Sequence, residues 1–182
     1  MNNLQKPDWI RTKLTSTSNF STVHQTIQQH QLHTICKSGK CPNLSECWNR
    51  GTATFMILGE ICTRSCKFCN TATGCPLPPD PAESQAIAEA IYSLKLKHAV
   101  ITSVDRDDLP DKGASFWAKT IHAIQAKNPH TTIEVLIPDF DGQHDLLDKI
   151  IQEKPDIISH NMETVRRLTP LIRSKARYET SL

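Results

Sequence analysis

Residues 52–69 carry the sequence TATFMILGEICTRSCKFC. Its first part, from Thr52 to Gly59, is a short apolar run that predicts a buried β-strand, since such runs are typical of strands covered on both faces. Cys62, Cys66 and Cys69 follow with Cys-x3-Cys-x2-Cys spacing. The sequence therefore predicts a loop bearing three thiols directly after the first strand.

Helix and strand signals alternate along the rest of the chain. Apolar residues recur at helical spacing around Ile87, Ile121 and Ile150, and buried-strand runs cover residues 98–104, 133–138 and 156–160. Asp80 is the predicted N-cap of the first helix, with Glu83 completing a capping box. The pattern predicts an α/β fold with a parallel sheet, in which the loops at the carboxyl ends of the strands gather the chemistry.

Composition narrows the function classes. The 182 residues are 38% hydrophobic and 22% charged, with a formal charge of +2, which is typical of one soluble globular domain. No nucleic-acid or membrane partner is expected, because the basic excess is small and the apolar runs are short. The first residues are polar and do not resemble a secretory signal segment. Trp9, Ile10 and Leu14 are interpreted as docking positions rather than as part of a transit peptide. The expected location of the protein is therefore cytoplasmic.

The seven cysteines all lie within residues 36–75, which favours metal or redox chemistry over a disulfide framework. A [4Fe–4S] cluster normally takes four cysteines, so a set made of Cys62, Cys66 and Cys69 would leave one iron open to a ligand. Zinc is the alternative, because thiolates suit both metals, although zinc sites favour paired two-residue spacings.

A second set of three cysteines precedes the first. Cys36, Cys41 and Cys47 have Cys-x4-Cys-x5-Cys spacing and form a second candidate metal site. Cys75 is left over and is interpreted as a spare thiol, because free cysteine often behaves as a small hydrophobe.

Both cysteine motifs together resemble those of lipoyl synthases, a family of radical S-adenosylmethionine (SAM) enzymes. The aromatic Phe68 before the last cysteine of CTRSCKFC completes the radical SAM signature. The resemblance continues through CPNLSECWNRGTATFMILGEICTRSC (41–66), ITSVDRDDLPDKGASFW (101–117), IEVLIPDF (133–140) and HNMETV (160–165). Three residues depart from it: Cys75, Lys112, where the family usually has glycine, and Arg166, where it usually has proline.

The resemblance implies a fold and a set of cofactors. Residues 51–182 are expected to form an incomplete radical SAM (β/α) barrel, and residues 1–50 an N-terminal cysteine-rich extension. Two [4Fe–4S] clusters are implied: Cys62, Cys66 and Cys69 would hold the one that binds SAM, and Cys36, Cys41 and Cys47 the auxiliary one. The chain stops at Leu182, before the Arg-Ser-Ser motif that supplies the auxiliary cluster's serine ligand, so an N-terminal portion is expected.

Candidate SAM contacts are Phe68, on the cysteine loop, and Ser103, Asn161 and Glu163, at the strand ends. Without the resemblance, Asn161 and Glu163 would be interpreted as helix-capping residues. The charged group Asp105–Asp108 is interpreted as a solvated, internally paired structural loop. Arg173 could meet a carboxylate of SAM or of the partner protein, but it is interpreted as a surface charge and is not included among the candidate contacts.

The activity implied is insertion of two sulfur atoms at C6 and C8 of a protein-bound octanoyl-lysine, with the auxiliary cluster as sulfur donor. Implied partners are octanoylated lipoyl-domain proteins or the glycine-cleavage H protein, and an electron donor such as ferredoxin or flavodoxin. The alternatives are another radical SAM sulfurtransferase related to biotin synthase, an inactive remnant, and a zinc-stabilised binding module.

Overall fold

A computed structural model describes residues 17–182, so the expected docking positions Trp9, Ile10 and Leu14 lie outside the described part. The helices are α1 (Ser18–Gln29), α2 (Ile35–Ser38), α3 (Leu44–Asn49), α4 (Glu83–Ser93), α5 (Ala114–Lys127), α6 (His144–Gln152), α7 (Thr169–Ile172) and α8 (Tyr178–Ser181). The strands are β1 (His33–Thr34), β2 (Thr54–Ile57), β3 (Ile61–Cys62), β4 (Ala72–Thr73), β5 (His98–Ser103), β6 (Thr132–Leu136) and β7 (Ile157–Ser159), and Phe140–Gly142 form a 3-10 helix.

The main sheet has the strand order β1-β2-β5-β6-β7. The strands β2, β5, β6 and β7 are parallel, with Phe55 opposite Ile101 and Ile101 opposite Val135, whereas β1 is antiparallel to β2. A helix connects each parallel strand to its neighbour in the sheet: α4 lies between β2 and β5, α5 between β5 and β6, and α6 between β6 and β7. The predicted α/β fold with a parallel sheet is confirmed, and the sequential strand order is consistent with part of a (β/α) barrel.

The core forms where helices cover this sheet. Ile87 and Ile91 of α4 and Trp117 and Ile121 of α5 are completely buried, and the two helices pack against each other. The helical spacing of these residues in the sequence predicts that they share the buried face of each helix, as they do in the structure. The bond between Ser84 Oγ of α4 and Thr120 Oγ1 of α5, at 2.8 Å, satisfies two hydroxyls within this apolar layer.

The start of α4 differs from the prediction. Asp80 accepts a hydrogen bond from the Ala82 N–H at 2.9 Å, as a cap would, yet the regular helix begins at Glu83. Glu83 does not close a capping box. Its carboxylate instead turns inward and accepts the Leu58 N–H at 2.8 Å, because the end of β2 leaves that buried donor without a strand partner.

The N-terminal helices share the core of the sheet. Val23 of α1, Cys36 of α2 and Trp48 of α3 belong to the same cluster of buried residues as Phe55 of β2. The proposed division into an extension, 1–50, and a barrel portion, 51–182, stays a prediction.

Candidate cofactor site at the strand ends

The loop that follows β2 holds the first cysteine set. Cys62 ends β3 and is buried, Cys66 is half-buried and Cys69 is exposed. The Sγ atom of Cys62 accepts hydrogen bonds from the N–H groups of Arg64, at 3.4 Å, and Asp105, at 3.3 Å. The Sγ atom of Cys69 accepts one from the Thr71 N–H at 3.4 Å. Backbone donors directed at sulfur favour the thiolate, which is the form that binds metal.

Burial acts in the opposite direction on Cys62. It raises the pKa of the Cys62 thiol to about 11, and the carboxylate of Asp105 adds to the effect. Without a metal this thiol is therefore protonated near neutral pH. Metal binding must displace that proton, as it does at other thiolate sites.

The second cysteine set lies on α2, the following loop and α3. Cys36 is buried, whereas Cys41 and Cys47 are half-buried. Burial raises the pKa of the Cys47 thiol, and the nearby Cys36 and Cys41 raise it further, so the three sulfurs are electrostatically coupled. The fold thus places Cys36 and Cys41 close enough to Cys47 to affect its thiol, although up to eleven positions separate these cysteines in the sequence.

Within residues 17–182, no three His, Cys, Asp or Glu side chains are arranged to hold a single metal ion. Each cysteine set nevertheless offers three soft ligands. Thiolates are the ligands that iron–sulfur clusters take, so the donor chemistry of both sets fits such a cluster.

Arg64 anchors the first cysteine loop to the neighbouring strand ends. Its guanidinium donates two parallel hydrogen bonds to Asp107, at 2.8 and 2.9 Å, one to Asp139 at 2.9 Å and one to Asp141 at 3.2 Å. Asp105 lies 3.3 Å away. The bonds from Arg64 hold the pKa of Asp107 well below its usual range, whereas burial raises the pKa of Asp105. One cation thus joins the loops after β2, β5 and β6.

A cavity of about 130 Å³ lies at the carboxyl ends of β5, β6 and β7. The candidate residues Ser103, Asn161 and Glu163 all line it, together with Asp105 and Arg64. Glu163 has a φ of 62°, an unusual backbone conformation for a residue other than glycine that is enriched at functional sites. The structure therefore brings three of the four predicted SAM contacts together.

Two residues that were not among the predicted SAM contacts also line this cavity. Arg173 lines it rather than lying on the surface as a solitary charge, and His160 lines it as well. Each carries a buried polar atom without a hydrogen-bond partner, Nε of Arg173 and Nε2 of His160, and so does Ser103 at Oγ. Unpartnered buried polar atoms around one cavity suit a polar ligand. His160 stands in the quoted HNMETV stretch, whereas no local pattern marks Arg173.

Phe68 is not among the residues that line this cavity, and its side chain is 46% exposed. Its role as a SAM contact stays a prediction.

The charged stretch after β5, Asp105–Asp108, is also more buried than predicted. Arg106 pairs with Asp108 at 2.8 Å, which agrees with the expected internal pairing. The prediction of a solvated loop was wrong, because Arg106 is buried and donates to the carbonyls of Leu58 and Leu77.

No helix in the described part of the chain is long and apolar enough to cross a membrane.

Comparison with protein families finds one match over residues 56–182, to the model described as the Radical SAM superfamily. The matched segment begins inside β2 and contains the first cysteine loop and the strand-end cavity.

Curated relatives are similar over the whole chain. A lipoyl synthase of Phocaeicola vulgatus is 61% identical over 182 residues, which cover 100% of this chain and 64% of the relative. A lipoyl synthase of Parabacteroides distasonis is 62% identical over 179 residues, or 98% of this chain and 64% of the relative. A lipoyl synthase of Treponema denticola is 59% identical over 180 residues, which cover 99% of this chain and 62% of the relative. The chain thus spans a little under two thirds of the length of these relatives.

Proposed function

Because the chain belongs to the radical SAM superfamily, we propose that it carries the SAM-cleaving and sulfur-donating sites of a lipoyl synthase. The whole reaction would insert two sulfur atoms at C6 and C8 of an octanoyl-lysine on a partner protein. The observation that carries this proposal is the presence of two separate three-cysteine sets in a chain about 60% identical to lipoyl synthases.

The two cysteine sets would hold different clusters. Cys62, Cys66 and Cys69 would bind a [4Fe–4S] cluster with one open iron, and Cys36, Cys41 and Cys47 an auxiliary cluster that supplies sulfur. A cluster held by these three cysteines would supply, once reduced, the electron needed to split SAM into methionine and a 5′-deoxyadenosyl radical. A radical is needed because the C–H bonds of an octanoyl chain are unactivated.

The strand-end cavity supports a role in holding SAM. SAM carries an ammonium, a carboxylate and a sulfonium, and this cavity offers the acids Asp105 and Glu163 beside the cation Arg173. Ser103 Oγ and Arg173 Nε have no partner among the described residues and could bond to such a ligand. At about 130 Å³ the cavity is smaller than the ~300 Å³ of typical ligand pockets. These side chains would therefore enclose one end of SAM.

The partners are proposed on the same basis. The substrate would be an octanoylated lipoyl domain or the glycine-cleavage H protein, and the electron donor a ferredoxin or flavodoxin in the cytoplasm. Nothing in the comparisons favours a biotin-synthase relative or a zinc module.

The decisive experiment compares iron and acid-labile sulfide, SAM cleavage and lipoyl product in the reconstituted wild-type chain and in three variants. Cys66→Ala is expected to abolish SAM cleavage. Cys41→Ala is expected to retain cleavage and to abolish sulfur transfer. Cys75→Ala is the matched control, because its thiol is exposed and lies outside both sets.

Close to eight irons per chain would indicate two four-iron clusters. Zinc without iron in the wild-type chain would overturn the proposal, and lipoyl product from Cys41→Ala would overturn the assignment of the sulfur donor.

A further inference from the structure

The last residue of α7 and the segment that follows this helix lie directly against the first cysteine loop. The Lys67 N–H donates to the carbonyl oxygen of Ile172 at 2.8 Å, and the Ser65 N–H donates to Ser174 Oγ at 3.1 Å. These two bonds flank Cys66 on both sides. The backbone on both sides of Cys66 is therefore bonded to a segment that lies more than 100 residues later in the sequence.

Ser174 also contacts the cysteine itself. Its Oγ atom lies 3.6 Å from Cys66 Sγ, within hydrogen-bond range for sulfur, and either atom could be the donor in the free protein. A cysteine that binds metal is a thiolate and can only accept a hydrogen bond. The Ser65 N–H already occupies one lone pair of the Ser174 oxygen, which leaves the hydroxyl proton free to point at the sulfur.

The neighbours of Ser174 hold it in this position. Lys175 Nζ lies 2.7 Å from Asp141 and 3.0 Å from Asp107, both of which also bind Arg64 of the cysteine loop. Arg173 donates to Ser181 Oγ at 3.0 Å. These contacts anchor the residues on either side of Ser174, whose own side chain is exposed.

We propose that the Ser174 hydroxyl donates a hydrogen bond to Cys66 Sγ and thereby raises the reduction potential of the cluster that Cys62, Cys66 and Cys69 hold. The inference rests on the proposed function, since it requires that cluster. Reduction adds negative charge to a cluster, and hydrogen bonds to its sulfur ligands stabilise that charge. Ser174 is a positioning and tuning residue and does not touch the substrate.

Replacing Ser174 by alanine removes both contacts of its hydroxyl, the one with Cys66 Sγ and the one with the Ser65 N–H, whereas the main-chain bond from Lys67 to Ile172 remains. The sulfurs of Cys62 and Cys69 accept from main-chain N–H groups, which every variant retains. The bond to Cys66 comes from a side chain, so one substitution deletes it.

The test is an EPR-monitored redox titration of the reconstituted chain without SAM, following the reduced-cluster signal that changes when SAM is then added. Iron and sulfide are counted in the same samples. Ser174→Ala is expected to bind as much iron as wild type and to have a lower midpoint potential. Ser174→Thr keeps the hydroxyl and is expected to match wild type. Ser115→Ala is the matched control, because that hydroxyl contacts Lys149, on the outer helices α5 and α6.

An unchanged potential in an iron-loaded Ser174→Ala protein would overturn the inference and leave the proposed function intact. Loss of iron in that variant would also overturn it, because the hydroxyl would then be needed to hold the loop rather than to tune the cluster. A wild-type chain without a SAM-sensitive signal would overturn both proposals.

Discussion

The Nη1 atom of Arg64 donates to Asp139 Oδ1 at 2.9 Å, although 75 residues separate the two. Only 4% of the Arg64 side chain and 1% of the Asp139 side chain are exposed. This buried pair connects the cysteine loop to the end of β6. Removing one partner would leave the other charge buried without compensation, which typically costs several times more than losing a surface pair.

Arg64→Met is therefore expected to lower the free energy of unfolding by about 3–5 kcal/mol. Urea denaturation of the metal-free protein measures this loss directly. The control is Arg50→Met, since the Arg50–Glu46 pair is an exposed pair one helical turn apart, and its loss is expected to cost at most about 0.5 kcal/mol. Equal losses in the two variants would show that the Arg64 network does not stabilise the fold.

Gly113 is the N-cap residue of α5 and has a φ of 86°, and a Cβ atom there would lie 2.5 Å from Leu58 Cδ1. Gly113→Ala is expected to destabilise the protein by about 2–4 kcal/mol, because overpacking adds to the backbone strain. Gly51→Ala is the matched control, since Gly51 has a φ of 76° and open space around it. That variant should show the strain alone, about 1–2 kcal/mol. Identical losses would mean that Leu58 moves aside freely.

Lys112 adopts a φ of 51°, a backbone conformation that glycine adopts without strain. Its ammonium lies 2.7 Å from Asp141 and 3.7 Å from Asp107, so an ion pair offsets the backbone strain. Lys112→Met loses the pair and keeps the strain, whereas Lys112→Gly loses both. Thermal or urea unfolding is expected to show the methionine variant less stable than the glycine variant by about 1 kcal/mol. The reverse order would contradict this account.

Burial raises the pKa of Glu83 above its ordinary value. The folded protein therefore holds this proton more tightly than the unfolded chain does. The resulting stabilisation is complete below the ordinary carboxyl pKa of about 4.3 and is lost as pH rises through the higher folded value.

Glu83→Gln removes this titration and keeps an acceptor for the Leu58 N–H. Relative to wild type, the variant is expected to gain stability as pH rises from about 4.3 towards neutrality. Urea denaturation of wild type and variant at several pH values gives the difference between their unfolding free energies. The protonation of other groups affects both proteins alike and largely cancels in this difference. A difference that does not change with pH would show that Glu83 titrates normally.

The sequence by itself determined the local elements and the candidate ligands. Apolar runs predicted β2, β5, β6 and β7, and helical spacing predicted α4, α5 and α6, because side-chain periodicity follows directly from strand and helix geometry. The spacing of the cysteines predicted two three-thiol sites, because the members of each set lie close together in the sequence. Ser103, Asn161 and Glu163 could be placed at one edge, since the carboxyl ends of parallel strands meet there.

Only the tertiary structure decided which distant side chains meet. The sequence contains no signal that places Arg64 among four aspartates, Arg173 in the strand-end cavity, or Ser174 beside Cys66. It also predicted a helix cap for Glu83, whose carboxylate binds Leu58 instead. These contacts depend on how successive strand–helix units pack in space, and residue spacing carries no information about contacts between loops 40 to 110 positions apart.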